Sequence, residues 1–466
     1  MAVIDIPIVG QSYNLRDWAI DCQRTINLFP QVVESQNAPQ VSALLPTPGL
    51  TRKFKFDGRI RGLYALTDRM LVVSGTTLYS VDKLGKITNI GSIAGVSPVF
   101  FADNSIHVMI VGNAAYSYTI ASNTLAVMTN NEGFLGALDV TVLDSRFVWT
   151  IPNSGKIQWS NVLNTTTSAL NFATAESKSD NLVRAVTNNG QLWLIGEKTT
   201  EVWSSTGDAN LPFQRVSGAV LPVGCVAKNS VCQFGSSLVW LSRSEHGHGQ
   251  LVMTQGFQTQ RVSNHAIEQE IASYNVISDA ISFAYQQNGH SFLVITFPTV
   301  QKTWCYDLST NMWHERSFYN PSLHKHQHHR VMTHCFFNGV HYVGDRDDGR
   351  VYMLDHNEHT DDGQKIVRER ITPVINPHGA RMIFDEVEII MQVGQEGNTN
   401  PHIIFDWSDD KGRTWSKDRQ ESIGAAGEYR KRVIFRRLGQ SFGRVFRVRI
   451  TDTARLVVVG AKARVR

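Results

Sequence analysis

The sequence is short of several things, and each shortage removes a class of protein. It has five cysteines in 466 residues, Cys22, Cys225, Cys232, Cys305 and Cys335. The number is odd, no C-x-x-C pair occurs and the spacing is irregular, which excludes a disulfide framework or a zinc ribbon and points to a reducing compartment. No apolar run approaches the ~20 residues of a membrane-spanning helix. The opening MAVIDIPIVG carries Asp5 where a secretory signal would be positive, so the expectation is a soluble protein made in a cytosol. Charge is sparse, at 18% of residues, and helical periodicity is nearly missing, its best stretch being 264–274 (NHAIEQEIASY). Disorder, collagen and coiled coil are thereby excluded. No G-x-S-x-G, Walker or G-x-G-x-x-G motif stands in a strand-to-helix setting, so no catalytic residue or cofactor is assigned and a non-enzyme is expected.

What is present is short β-rich runs, each bounded by Gly, Asn, Asp or Ser, such as 71–73 (LVV), 192–195 (LWLI), 238–241 (LVWL), 292–295 (FLVI) and 340–343 (VHYV). The runs repeat as a unit. Its clearest copies start at Arg59 and Ala280, and weaker ones near Val99, Asp139, Val183, Ser230 and Val331. A spacing of about 40 to 50 residues is that of a four-stranded propeller blade. A blade cannot bury both faces of its sheet alone, whereas blades stacked around an axis bury one another. The expectation is an all-β protein with a β-propeller of about seven blades over 56–372, Val72, Val294 and Val343 lying on its buried inner or middle strands. A set of separate sandwiches is the competing reading.

Two segments fall outside the repeat. Residues 1–55 are polar and turn-rich, with Pro7, Pro30, Pro39, Pro46 and Pro48, and are expected as an extended N-terminal arm lying along the body or a neighbouring subunit. After Pro373 and Pro377 longer alternating strands set in, which predicts a C-terminal β-sandwich-like domain over 373–466. This domain is basic at its end: from Tyr429 onward there are twelve Lys or Arg and one acid, Asp452, while the rest of the chain has 33 basic and 40 acidic residues. Within RVFRVRI, Phe446, Val448 and Ile450 share one strand face and Arg447 and Arg449 the other. Arg436, Arg437, Arg444, Arg447 and Arg449 are therefore the candidate interface, toward nucleic-acid backbone or an acidic protein neighbour. The alternative is a solvated face with ordinary ion pairs.

SDDKGRTW, from Ser408 to Trp415, matches the Asp-box pattern of sialidases and other propellers. Its chemistry is structural: Ser408 and Asp410 can hold the turn backbone, Gly412 supplies a permissive φ and Trp415 packs beneath. In LHKHQHHRVMTH, His324, His326 and His328 fall on one side of an extended chain with His329 and His334 nearby, but no recognisable ligand spacing is completed, so a surface loop is expected and no metal is assigned. GDRDDGRVY, from Gly344 to Tyr352, reads as a hairpin turn rather than a calcium loop.

The arm sequence CQRTINLFP (22–30) followed by TPGL (47–50), and the ending with WSDDKGRTWS, RRLG (436–439) and FRVRITD (446–452), resemble the packaged-DNA stabilisation protein family of short-tailed bacteriophages. The resemblance implies a structural virion protein, assembled in the host bacterial cytoplasm and placed in the tail. It further implies a hexameric hub or nozzle that docks to the portal-adaptor protein, meets distal tail proteins such as fibre, spike or needle, touches packaged DNA non-specifically at most, closes the channel and retains the genome. In that setting the basic face is expected to meet the adaptor ring or the DNA channel. Two other classes stand beside this one: a glycan-binding or glycan-processing propeller, suggested by the Asp-box, and a nucleic-acid-binding module, suggested by the basic ending.

Overall fold

The computed structural model describes residues 2–15, 21–34, 41–129, 133–175, 180–243, 249–375, 379–394 and 400–466; Met1, Pro39 and Pro377, on which the sequence reading drew, lie outside them. Seven antiparallel four-strand units follow one another. Their first strands are Ile60–Ala65, Phe100–Asp103, Thr141–Leu143, Leu182–Asn188, Cys232–Phe234, Ile281–Gln287 and Val331–Phe337, each beginning within two residues of a start read from the repeat. The fold is a seven-bladed propeller. Val72, Val294 and Val343 all sit on the second strands of their blades, at 0% exposure. In the fourth, sixth and seventh blades an Asn-Gly pair joins the first two strands, with both residues at positive φ: Asn189-Gly190, Asn288-Gly289 and Asn338-Gly339. That backbone matches the twist of the flanking strands and is cheapest for this dipeptide. One helix, α1 (His265–Ala272), lies within the stretch that carried the helical periodicity, and the Asn264 side chain caps it by accepting from the Ile267 amide. No helix among the described residues is long and apolar enough to cross a membrane.

Between the blades the core is continuous apolar packing. The first and second blades share Leu71, Val73, Val108 and Ile110, and the third and fourth share Val148, Ile157, Leu192 and Leu194. Polar ties cross the same seams where backbone groups would otherwise be stranded. The buried Asp139 carboxylate accepts from the Thr150 amide and hydroxyl of the third blade and from the Ala185 amide of the fourth. Arg61, 2% exposed, donates to four carbonyls: that of Gly75 in a hairpin turn of the first blade, and those of Ile93, Ala94 and Ser97 in the connection to the second. A buried cation can be kept only if its donors are met.

After the propeller the chain builds a two-layer sandwich. One layer has the strand order Leu28–Val32, Ser42–Pro46, Val458–Val465, Met382–Met391, Val433–Ser441, with Ala2–Ile6 also paired to Val458–Val465. The other runs Arg368–Ile371, Val445–Ile450, His402–Ser408, Arg419–Ser422. Between them Phe405 stacks on Phe435 and Phe446 with ring centroids 4.4 and 5.4 Å apart.

The segment expected as an arm is distributed among both bodies, and the reason is its alternating apolar residues. Ile26, Leu28, Phe29, Leu44 and Leu50 are each 2% exposed or less. Gly49–Lys55 pairs with Arg350–Asp355 as the fourth strand of the seventh blade, closing the ring with N-terminal chain. Leu28–Val32 and Ser42–Pro46 belong to the sandwich. Cys22–Ile26 lies between the two bodies: Ile26 pairs in parallel with Glu315 of the sixth blade and the strand runs antiparallel to Arg368–Ile371, so one sheet passes from propeller to sandwich. Asn27, at φ +54, fixes the exit from this strand. Its side-chain amide donates to the Ser317 and Val367 carbonyls and its oxygen accepts from the Ser317 amide.

Arg370 completes the fastening. It is 1% exposed and donates to the carbonyls of Ile8 and Gln11, the Thr25 hydroxyl and the Gln23 side chain at 2.7 to 2.9 Å. Gly10 packs close beside it: a Cβ there would stand 2.7 Å from the guanidinium. Arg370→Met leaves these acceptors unmet, and the expected loss is about 3 kcal/mol, of the order of removing one partner from a buried charged network. It should appear as a lower urea midpoint with earlier proteolysis of residues 2–26; an unchanged midpoint would contradict the assignment.

Candidate functional site

On Val445–Ile450, Phe446, Val448 and Ile450 face the sandwich core at 3% exposure or less. Arg447 and Arg449 face the other way, as strand alternation requires, but the surface they meet is not bare. Asp406, on the adjacent strand and directly opposite Arg447, is 0% exposed. It takes two hydrogen bonds from Arg447, at 2.8 and 2.6 Å, and one from Arg449 at 2.7 Å. Arg449 also reaches Asp418 at 2.5 Å. Burial pushes the Asp406 carboxyl above its ordinary value while Arg447 and Arg449 pull it down.

The five candidate arginines therefore divide. Arg444 is 1% exposed, bonded to Asp409 at 2.6 and 2.9 Å and lying over the Phe384 and Trp407 rings. Arg447 and Arg449 are spent largely on Asp406. Arg436 is exposed, with Glu386 3.4 Å away, and Arg437, exposed at φ +58, has no ion pair among the described residues. Arg432, Arg464 and Arg466 likewise meet Glu388, Glu386 and Asp385. These acids are distant in sequence and adjacent only through strand pairing, which a count along the chain does not see.

The Asp-box turn joins His402–Ser408 to Arg419–Ser422, outside the propeller. The Ser408 hydroxyl donates to Asp410 at 2.6 Å and accepts from the Gly412 amide at 2.8 Å, while Asp410 accepts from the Thr414 amide and hydroxyl at 2.8 and 2.6 Å. These donors hold the Asp410 carboxyl below the usual range, and Gly412 takes φ +93. The product of the turn is the placement of Trp415, whose ring lies 3.9 Å from the Arg447 guanidinium carbon.

Here the separate parts converge on a cavity of about 490 Å³ at the seam of propeller, N-terminal segment and sandwich. Arg24 comes from the bridging strand, Tyr319 and His326 from a hairpin after the sixth blade, Glu369 from the connecting strand, Lys411 and Trp415 from the Asp-box turn. Arg24 forms a two-point ion pair with Glu315 at 2.5 and 2.7 Å, which holds Glu315 down to about 2. Sequence reasoning assigned Trp415, Arg447 and Arg449 singly but not the cavity, because its walls are hundreds of residues apart along the chain.

The histidine-rich stretch is the returning strand of that hairpin, Ser317–Asn320 with Lys325–His328, and not a surface loop throughout. Residues 321–325 are exposed, but His328 and His329 are buried and His326 Nδ1 is 2.8 Å from the Ser317 hydroxyl. Burial lowers His326 and His328 to about 4. No group of three or more potential ligands is placed to hold a metal among the described residues. Asp345, in the hairpin turn of 344–352, accepts from the Asp347 amide and the Tyr352 hydroxyl.

The architecture is that of a propeller followed by a sandwich, the domain pair of a phage structural tail protein. The chain belongs to the bacteriophage P22 Gp10 family, the packaged-DNA stabilisation proteins of short-tailed phages: residues 4–359 match the family's β-propeller and residues 367–466 its β-sandwich. No curated protein matches the chain. Among solved structures it is similar to the extracellular domain of a putative hybrid two-component system from B. thetaiotaomicron (TM-score 0.44, 8% identity, 76% of this chain and 45% of that one). It is similar also to PorZ, a surface component of the type-IX secretion system of Porphyromonas gingivalis (0.38, 12%, 67% and 38%), and to the dihydro-heme d1 dehydrogenase NirN (0.41, 10%, 66% and 66%). The chain spans less than half the length of the first two.

Two outcomes are expected from this geometry. Reversing Arg447 and Arg449 to Glu sets two new carboxylates against buried Asp406, so it should cost about 3 kcal/mol or more in chemical denaturation, contrary to the expectation of a bare cationic face; a wild-type midpoint would restore that expectation. Histidines such as His326 and His328 are ordinarily at 6.5 and lie near 4 when folded, so unfolding takes up protons between these values. The stability they contribute is full above pH 6.5 and is lost as pH falls through about 4. A urea midpoint that falls across this window is expected, and a flat one would contradict the burial.

Proposed function

We propose that the protein is the ring-forming hub of a short-tailed phage tail: six copies dock below the portal-adaptor complex, hold distal tail parts, close the DNA channel and retain the packaged genome. The observation that carries the reading is membership of the packaged-DNA stabilisation family over both domains. The role is mechanical and non-enzymatic. A propeller clamped to a sandwich by a shared sheet is suited to it, because force applied to one body is transmitted through hydrogen-bonded strands rather than a flexible linker.

The charge distribution narrows where docking acts. With Arg444, Arg447 and Arg449 engaged internally, the exposed cations Arg436 and Arg437 are the part of the original candidate set still available to an acidic adaptor surface, and that interface is preferred over the DNA channel because a strongly cationic lumen would retard genome exit.

Arg436→Glu with Arg437→Glu is expected to keep monomer stability within about 0.5 kcal/mol, as for surface positions, while weakening docking to portal-adaptor particles more steeply at low salt and raising DNA loss from filled heads. Native mass measurement with and without the portal complex reads ring size directly. A persistent monomer in the presence of the complex, or a double variant that docks and retains DNA like the wild type across salt concentrations, would contradict the reading at its first and second steps respectively.

A further inference from the structure

The seam cavity has charges left over once its internal pairs are counted. Arg24 is matched by Glu315 and Arg447 by Asp406. Arg449 commits Nη2 to Asp406 and Asp418, but its Nε is buried with no hydrogen-bond partner, and a guanidinium N–H shielded from water without an acceptor is costly. Lys411 lines the same cavity, held at φ +62 by the Asp-box turn, and has no carboxylate within ion-pair distance among the described residues. Lys411 is thus an unspent cation in the cavity wall, beside the Arg449 guanidinium.

The Glu369 carboxylate in the same wall is also under-used. Its nearest cations, Arg24 and Arg447, stand 3.9 and 4.0 Å away, beyond hydrogen-bond reach. Trp415 and Tyr319 supply aromatic surface, and the volume of about 490 Å³ falls in the range of built ligand sites, roughly 300–1,000 Å³.

We propose that this cavity is a docking pocket for an acidic side chain on an extended polypeptide segment of a neighbouring protein. The incoming carboxylate accepts from Lys411 Nζ beside the Arg449 guanidinium, an adjoining backbone N–H of the segment donates to Glu369, and its apolar atoms pack on Trp415 and Tyr319. A polyphosphate backbone fits the site poorly, since Glu369 in the wall and the half-exposed Asp418 beside Arg449 repel successive phosphates. The identity of the neighbour as a tail component rests on the reading above; the chemistry of the pocket does not.

The test is fluorescence anisotropy of the full-length protein with a fluorescein-labelled hexaglutamate peptide, against equally labelled hexathymidylate and hexalysine, at 50 and 300 mM salt. Saturable binding of hexaglutamate is expected, weaker at the higher salt. It should fall at least tenfold in Lys411→Glu, whose side chain is outside the core so that the thermal midpoint stays put, and several-fold in Tyr319→Ala. Absence of saturable binding, equal binding by Lys411→Glu, or hexathymidylate binding as tightly as the peptide would overturn the proposal. A protein that forms rings and docks to particles yet ignores hexaglutamate would overturn the pocket and leave the tail-hub reading. One that binds hexaglutamate through Lys411 but neither forms rings nor docks would do the reverse.

Discussion

The structure depends on one segment of chain being needed in two cores at once. Cys22–Ile26 is a strand of the sheet that continues from the sixth blade into the sandwich, and Gly49–Lys55 is the fourth strand of the seventh blade. Closing a propeller between the ends of the chain has an entropic cost that grows slowly with the length closed, and here the closing strand comes from the N-terminal side, so the ring is completed only when that segment is in place. The same segment carries Leu28 and Leu44 into the sandwich. Neither body has a complete set of strands without it.

Buried arginine fastens this arrangement, and its partners differ by location. At Arg370 they are carbonyls, a hydroxyl and an amide, and burial without a carboxylate at bonding distance pulls it down to about 9, so it remains charged at neutral pH and its donors must stay satisfied. At Arg24 and Arg447 the partners are Glu315 and Asp406, two-point pairs of the kind that fix geometry as well as charge. The Arg24–Glu315 pair ties the bridging strand to the sixth blade, while Arg447–Asp406 ties neighbouring strands within the sandwich; neither adds greatly to stability, since a buried ion pair roughly balances its own desolvation. The cavity lies beside them, and the arginine of each pair lines its wall.

Much of the fold was legible because propeller blades write their period into the chain. Runs such as 192–195 and 292–295, bounded by turn residues, fell on the buried second strands of their blades, the repeat starts located the first strands to within two residues, and the alternation in RVFRVRI assigned Phe446, Val448 and Ile450 to the core. How the arm lies along the body was not legible for a physical reason: its prolines and polar residues resemble a linker, while the residues that matter, Ile26, Phe29 and Leu50, are single apolar positions whose partners are about 250 to 350 residues away. The Asp-box was readable as a turn but not as the support for Trp415 against Arg447. The basic ending was readable as charge but not as paired charge, because Asp406, Glu386 and Glu388 enter by strand register alone.

The central claim is that propeller, bridging strand and sandwich form one cooperative unit. Native-state hydrogen exchange on the isolated chain tests it directly. The account predicts that the amides of Cys22–Ile26, Met312–Glu315, Arg368–Ile371 and Val445–Ile450 exchange with a common free energy, near that of global unfolding, and lose protection together as denaturant is added. Exchange of Cys22–Ile26 at a free energy well below that of Val445–Ile450, with the propeller still protected, would show the N-terminal segment to be an appendage and contradict the account.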